Sequence, residues 1–180
     1  MTTKNAQVDS SSKLIPTYTP EFAERQTRRQ KLGCSKIWDL LDQVHDPELP
    51  GLSIWDLGVL QNIKPLNGGW EIEVTPTYSG CPAVETINED ILKVLKNAGV
   101  DEVKVTLVLA PAWTTEMISP AGKAHLKRIH IAPPEVNDKV LCPVCDSDNT
   151  RLVSQFGSTA CKALYQCLAC HEHFDYFKHF

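Results

Sequence analysis

Two Cys-x-x-Cys turns, CPVC at 142–145 and CLAC at 167–170, lie 21 residues apart. No other feature constrains the fold as tightly. Each turn brings two sulfurs to one point and leaves backbone N–H groups facing them. Four thiolates around one divalent ion fit a closed, tetrahedral, structural zinc site. The strand-like stretches RLVSQF, ALYQC and HFDYF complete the layout of a four-cysteine zinc ribbon over residues 139–180. A segment of about 40 residues has too small a core to hold alone, so the metal is its staple. The same donors, Cys142, Cys145, Cys167 and Cys170, also accept a single iron or an iron–sulfur cluster. Cys161 offers an alternative fifth thiolate, but it reads better as a reduced, half-buried ribbon residue. His171 and His173 flank the second knuckle and read as surface residues, because four cysteines already close the site.

The rest of the chain has room for one ordinary domain. Ile37, Leu40, Leu41 and Val44 fall at i, i+3, i+4 and i+7, which predicts an amphipathic helix from Ser35. Pro47 requires that helix to end by His45–Asp46. Asn67-Gly68-Gly69 between two alternating apolar runs predicts a hairpin. On its second strand Trp70, Ile72 and Val74 alternate with Glu71, Glu73 and Thr75, so one face is expected to be wet. A second helix starts at Cys81 or Pro82, carries an apolar stripe from Val84 to Ala98, and stops at Gly99. VKVTLVL is a third strand. Ser119 and Pro120 form a cap and first turn for a third helix. The predicted fold is α+β: a small two-layer α/β domain, helix-strand-strand-helix-strand-helix, over residues 34–132, followed by the ribbon. Pro133 and Pro134 mark the boundary. Residues 1–33 are polar, contain two prolines and read as a flexible tail, with FAERQTRRQKLG as a segment able to turn helical on a partner.

Charge narrows the partner classes. Residues 34–138 carry eight Lys/Arg against fifteen Asp/Glu, and residues 139–180 carry four of each. An acidic central domain repels a phosphate backbone, so nucleic acid is disfavoured. No apolar run approaches the roughly 20 residues of a membrane helix. The first residues, MTTKNAQVDSSSK, lack the apolar core of a secretory leader, so a cytoplasmic location is expected. Reduced thiols there hold metal rather than disulfides.

Cys81, between Gly80 and Pro82, is the unpaired thiol of interest. At a helix start its sulfur faces unsatisfied N–H groups, which favours the thiolate. Such a thiol can attack an electrophile, exchange with a disulfide or ligate a soft metal. It can equally be a small buried hydrophobe. Upstream, HDPELPGLSIWDLG places Asp46, Glu48 and Asp56 in one loop. Helix termination and turn capping account for Asp46 and Asp56, best for Asp56.

Two stretches carry a resemblance. HDPELPGLSIWDLGVL and TYSGCP resemble the Asp-Pro-Glu…Asp-Leu-Gly and Gly-Cys-Pro motifs of the SufT-like iron–sulfur assembly domains. APAWTTEMISPAGKAHLKRIHIAPP and CPVC…FGSTACKALYQCLAC…FDYFK resemble the PaaD branch of that family. The resemblance spans roughly residues 35–180. It implies an accessory factor that matures iron–sulfur or related metal centres of the multicomponent phenylacetyl-CoA epoxidase in phenylacetate degradation. It implies as partners the iron–sulfur reductase and oxygenase components. The motif thiol maps onto Cys81, as a transient iron or cluster ligand, and the acidic positions onto Asp46 and Glu48. One thiol cannot hold a cluster that needs four protein ligands, so a homodimer or a client must supply the others. The alternatives are a non-catalytic structural subunit of the oxygenase, or a thiol-dependent enzyme using Cys81 with His45 or Cys34 brought close in space. Intrinsic catalysis is not expected.

Overall fold

The structure, a computed structural model, describes residues 19–31, 34–135 and 139–180. Its elements begin with helices α1 (Pro20–Lys31) and α2 (Ser35–Leu41). Strands β1 (Leu60–Leu66) and β2 (Gly69–Val74), helix α3 (Ala83–Asn97), strand β3 (Val103–Leu107) and helix α4 (Pro120–Arg128) follow. The ribbon adds β4 (Ile131–Ala132), β5 (Thr150–Ser154), β6 (Lys162–Cys167) and β7 (His173–Phe177). From α2 to α4 the order is the expected helix-strand-strand-helix-strand-helix.

The first sheet runs β1-β2-β3, with β1 and β2 antiparallel and β2 and β3 parallel. Helix α3 is the crossover that a parallel pair needs. Ile72 lies opposite both Ile63 and Val105. Its face shares a core with Ile37, Trp38 and Leu41 of α2 and Ile87, Ile91 and Leu95 of α3. On the opposite face Glu71 accepts from Lys104 at 2.9 Å and from Thr106 at 2.7 Å, and Glu73 pairs with Lys64. The hairpin closes at Leu66↔Gly69. Gly69 is needed for packing: a Cβ there would stand 2.0 Å from the Glu102 carbonyl oxygen. Ser119 caps α4 through its hydroxyl, which accepts from the Gly122 N–H at 2.8 Å.

The structure corrects the expected tail over residues 20–31. Residues 1–18 and 32–33 of that segment lie outside the described residues, as do 136–138 of the linker. Helix α1 packs on the core through Phe22 and through Arg25, which is 0% exposed. The Arg25 guanidinium donates to the carbonyls of Met117 (2.5 Å), Trp55 (2.6 Å) and Leu60 (3.0 Å). It also sits 4.2 Å from the centre of the Trp55 ring, a cation–π distance. Burial lowers its pKa to about 9, which leaves it charged at neutral pH. An arginine whose charge is met by backbone dipoles and an aromatic face leaves no apolar signature in the sequence.

The ribbon is not a separate bead. Its sheet runs β4-β7-β6-β5, and β4, which precedes the two prolines, pairs in parallel with β7. Cys161 and Phe177 of the ribbon belong to the main core.

Candidate functional site

The ribbon's four sulfurs converge. All ligand atoms of Cys142, Cys145, Cys167 and Cys170 lie within 4.8 Å of one another. Cys142 and Cys170 are 3.7 Å apart, and Cys145 and Cys167 are 3.6 Å apart. A tetrahedron with metal–sulfur bonds of about 2.3 Å has sulfur edges of about 3.8 Å, so the set fits one ion. Both knuckles close on a left-handed residue, Asp146 (φ 60°) and His171 (φ 65°). The Cys170 N–H reaches the Cys167 sulfur at 3.5 Å. With the Ala169 N–H, and against the cost of desolvation, it holds that thiol down to about 6. Cys142 and Cys167 are buried with Val140, Phe174 and Tyr176, while Cys145 and Cys170 are exposed. This small second core is one that a metal has to complete. His171 serves the knuckle's backbone turn and His173 begins β7. Neither joins the four-sulfur group.

Cys81 lies in the loop between β2 and α3, half-buried, one residue before Pro82. Gly80 takes φ +85°, and nothing lies within 4 Å of where its Cβ would be. The turn therefore needs glycine for its backbone sign and leaves that flank open. The negative charges of Asp46 and Glu48, in the acidic loop, act on the sulfur through space. Asp46 is 6% exposed, and its Oδ1 accepts from the Glu48 N–H at 2.8 Å. Burial pushes the Asp46 carboxyl up, against the N–H groups of Glu48 and Leu49.

The expected low-pKa thiolate is not what this geometry produces. Desolvation raises the Cys81 pKa, and Asp46 and Glu48 raise it further. The Ala83 N–H and the Thr77 hydroxyl act in the opposite direction and are outweighed. Pro82 stands where a helix donor would face the sulfur and has no N–H to offer. Cys81 is thus held as a protonated thiol rather than a standing thiolate nucleophile. His45 is exposed and bridges Ser53, and Cys34 is buried at the start of α2.

Asp56 has a structural task. Its carboxylate accepts from Ser53 at 3.1 Å and from Ser119, the cap of α4, and its carbonyl accepts from the Ser119 N–H at 2.9 Å. The loop carrying Cys81 also lines a cavity of about 310 Å³ with Leu109, Trp113 and Phe180. Phe180 stacks on Tyr78 with ring centres 6.5 Å apart. Sequence reasoning missed the ribbon's share in this site: Lys162, next to Cys161, donates to the Glu48 carbonyl at 3.5 Å.

Comparison with known proteins finds two matching segments, the second beginning inside α4 rather than after the two prolines. Residues 35–112 match an iron–sulfur cluster assembly protein family, and residues 127–178 match the PaaD zinc beta ribbon domain. An Escherichia coli protein, provisionally named as one of the subunits of a 1,2-phenylacetyl-CoA epoxidase, is 47% identical over 150 residues, covering 79% of this chain and 91% of that protein. A crystal structure of a domain of unknown function from Bacillus anthracis is 31% identical, covers 58% of this chain and 95% of that one, and has a TM-score of 0.48. A conserved hypothetical protein from Thermotoga maritima is 30% identical, covers 52% and 93% of the two chains, and has a TM-score of 0.44.

Proposed function

This chain belongs to the PaaD family, an iron–sulfur assembly domain joined to a zinc β-ribbon, and from that premise we propose that it serves a phenylacetyl-CoA epoxidase system as a maturation factor. Cys81 holds iron or an iron–sulfur unit in passing, and Asp46 and Glu48 attract the cation and take part of its charge. The ribbon, closed by structural zinc on Cys142, Cys145, Cys167 and Cys170, stiffens the C-terminal half and docks the client. The observation that carries this reading is the half-buried Cys81 thiol, which lies in the electrostatic field of two carboxylates of the acidic loop. A cation lowers the cost of ionising such a thiol, and its departure restores it, which suits transfer rather than storage. No electron changes hands: the sulfur loses its proton on loading and regains it on release.

A client or a second copy must supply the remaining ligands of any cluster. The iron–sulfur reductase component is the client this chemistry favours, with the oxygenase component second. Among the described residues no helix is long and apolar enough to cross a membrane.

The test is anaerobic reconstitution followed by iron and sulfide analysis of wild type and Cys81→Ala, each then mixed with apo reductase. Wild type is expected to load and to speed cluster appearance on the reductase, and Cys81→Ala to do neither. Equal loading by both removes Cys81 from the mechanism. A structural-subunit reading draws on the exposed Val144, Val153 and Phe156 of the ribbon. It requires this chain to remain in purified, mature epoxidase at fixed stoichiometry.

A further inference from the structure

Residues 178–180 form a strap from the ribbon onto the loop of Cys81. Beyond β7, the Lys178 N–H donates to the Cys161 carbonyl at 3.0 Å and extends the β6–β7 ladder by one rung. His179 is held at both ring nitrogens, with Nε2 3.0 Å from the Glu135 carbonyl and Nδ1 3.1 Å from the Thr115 hydroxyl. The Phe180 ring then lies between two others. It meets Trp113 edge-on with ring centres 6.0 Å apart, and it stacks on Tyr78 at 6.5 Å with 18° between the planes. Trp113 is the fixed wall: it is 5% exposed, its Nε1–H donates to the Leu57 carbonyl at 3.1 Å, and its ring packs on Phe177 at 5.9 Å. Tyr78 opens the turn that presents Cys81. The Cys81 N–H donates to the Tyr78 carbonyl at 3.2 Å, and Gly80, third of these four residues, takes φ +85°, the sign a type II turn requires there. Ser79 and Gly80 are exposed, and nothing lies within 4 Å of a Cβ built at Gly80. The turn is therefore open on its outer flank and clamped at its first residue by the Phe180 ring. The cavity of about 310 Å³ shares Tyr78, Trp113 and Phe180, and none of its lining residues is charged.

We propose that Phe180 is a positioning residue for Cys81: it holds Tyr78, and with it the turn that presents the thiol, so that the metal state of the ribbon sets how sheltered Cys81 is. This rests on the reading of Cys81 as the functional thiol and adds what places it. Strand β6 ends at Cys167, one of the four converging sulfurs, and β7 carries Phe174 and Tyr176, which pack in the small core around them. A ribbon without metal loses that core, and the strap beyond β7 loses its seat. Tyr78 is then without the ring that stacks on it, and water enters the uncharged cavity. The turn gains the backbone freedom its glycine allows and opens toward solvent. A chain with a filled ribbon presents a sheltered thiol, and a chain with an empty ribbon presents a bared one.

The test is alkylation by iodoacetamide at one fixed pH, read peptide by peptide by mass spectrometry, on the full chain with zinc in its ribbon. Phe180 is 44% exposed and belongs to neither buried core, so Phe180→Ala is expected to keep its fold and its zinc. It is expected to label Cys81 at least about fivefold faster than wild type, with Cys34 unchanged. Phe180→Tyr, which keeps a ring, is expected to label at the wild-type rate. Removing zinc from wild type is expected to give a similar rise at Cys81, and removing it from Phe180→Ala to add less than about twofold. An unchanged Cys81 rate in zinc-replete Phe180→Ala, an equal rise in Phe180→Tyr, or an equal rise at Cys34 overturns the positioning role. A full further rise on removing zinc from Phe180→Ala overturns the route from metal to thiol. Should Phe180→Ala lose its zinc, Phe180→Leu, apolar but without a ring, takes its place; it is expected to fall between the two rates, and a wild-type rate overturns the proposal. None of these rates depends on iron. Equal iron loading by Cys81→Ala would remove Cys81 from maturation and leave the effect of Phe180 standing.

Discussion

The Lys162 ammonium, on a residue 4% exposed, donates to the Glu48 backbone carbonyl at 3.5 Å while lying 3.9 Å from the Asp175 carboxylate. One buried cation thereby ties the ribbon's β6 to the acidic loop of the assembly domain. Two residues 114 positions apart in sequence share a local charge balance.

Lys162→Met keeps the stem's packing and removes the charge. It leaves a carbonyl and a carboxylate short of a donor, so a loss of about 1–3 kcal/mol is expected. Urea unfolding of the zinc-saturated protein checks it, and an unchanged midpoint removes the junction from the stability account.

Arg25→Met orphans the carbonyls of Met117, Trp55 and Leu60 together. A loss of about 3 kcal/mol is expected, because the partners stay buried. Deleting residues 1–33 should cost at least as much, since it also removes Phe22. Thermal unfolding of both variants against wild type measures it. A truncated chain of full stability would return α1 to the status of a leader.

Removing the ribbon metal should unfold the ribbon while leaving the first sheet in place. Cys167→Ser, or chelation of wild type, is expected to abolish zinc content and to lose the β4–β7 pairing. Elemental analysis with amide exchange at Ala132 and Tyr176 reports both. Retained exchange protection without metal would mean that the small core suffices.

Burial first, then Asp46 and Glu48, hold the Cys81 thiol above its ordinary value. Alkylation by iodoacetamide should therefore be slow at neutral pH and rise only above the usual thiol range, because the thiolate is the reactive form. A carboxylate raises the pKa of a neighbouring thiol, so Asp46→Asn should shift the rate profile to lower pH. The sign carries over to stability. A folded-state pKa above the unfolded one favours the folded chain below the unfolded value, and that advantage is lost as pH rises through the folded one. A profile centred at or below the ordinary thiol value would contradict this assignment.

Much of the fold is legible in linear patterns. The α2 and α3 stripes, the hairpin at Asn67-Gly68-Gly69, the Ser119 cap and the two cysteine knuckles are all local signals. Each fixes backbone geometry over a few residues, and each is present, although α2 ends at Leu41, short of Val44, and α3 begins at Ala83. Helix α1 is not legible as part of the domain, because one phenylalanine and one arginine carry its burial. Buried arginine is rare enough that composition argues against it. The site is half legible: Cys81, Asp46 and Glu48 stand out as motif residues, while Lys162, which reaches the acidic loop from the ribbon, carries no signal in the sequence.

Residue order alone determined the local geometry and the two cysteine pairs, because both are set by spacings of a turn or a knuckle. Folding in three dimensions decided the acidity of Cys81 and the company of Cys161. Desolvation and charge act through space, and neither can be read from neighbours along the chain. The Ala83 N–H near Cys81 in sequence favours its thiolate, but burial, and after it two carboxylates from a distant loop, outweigh it.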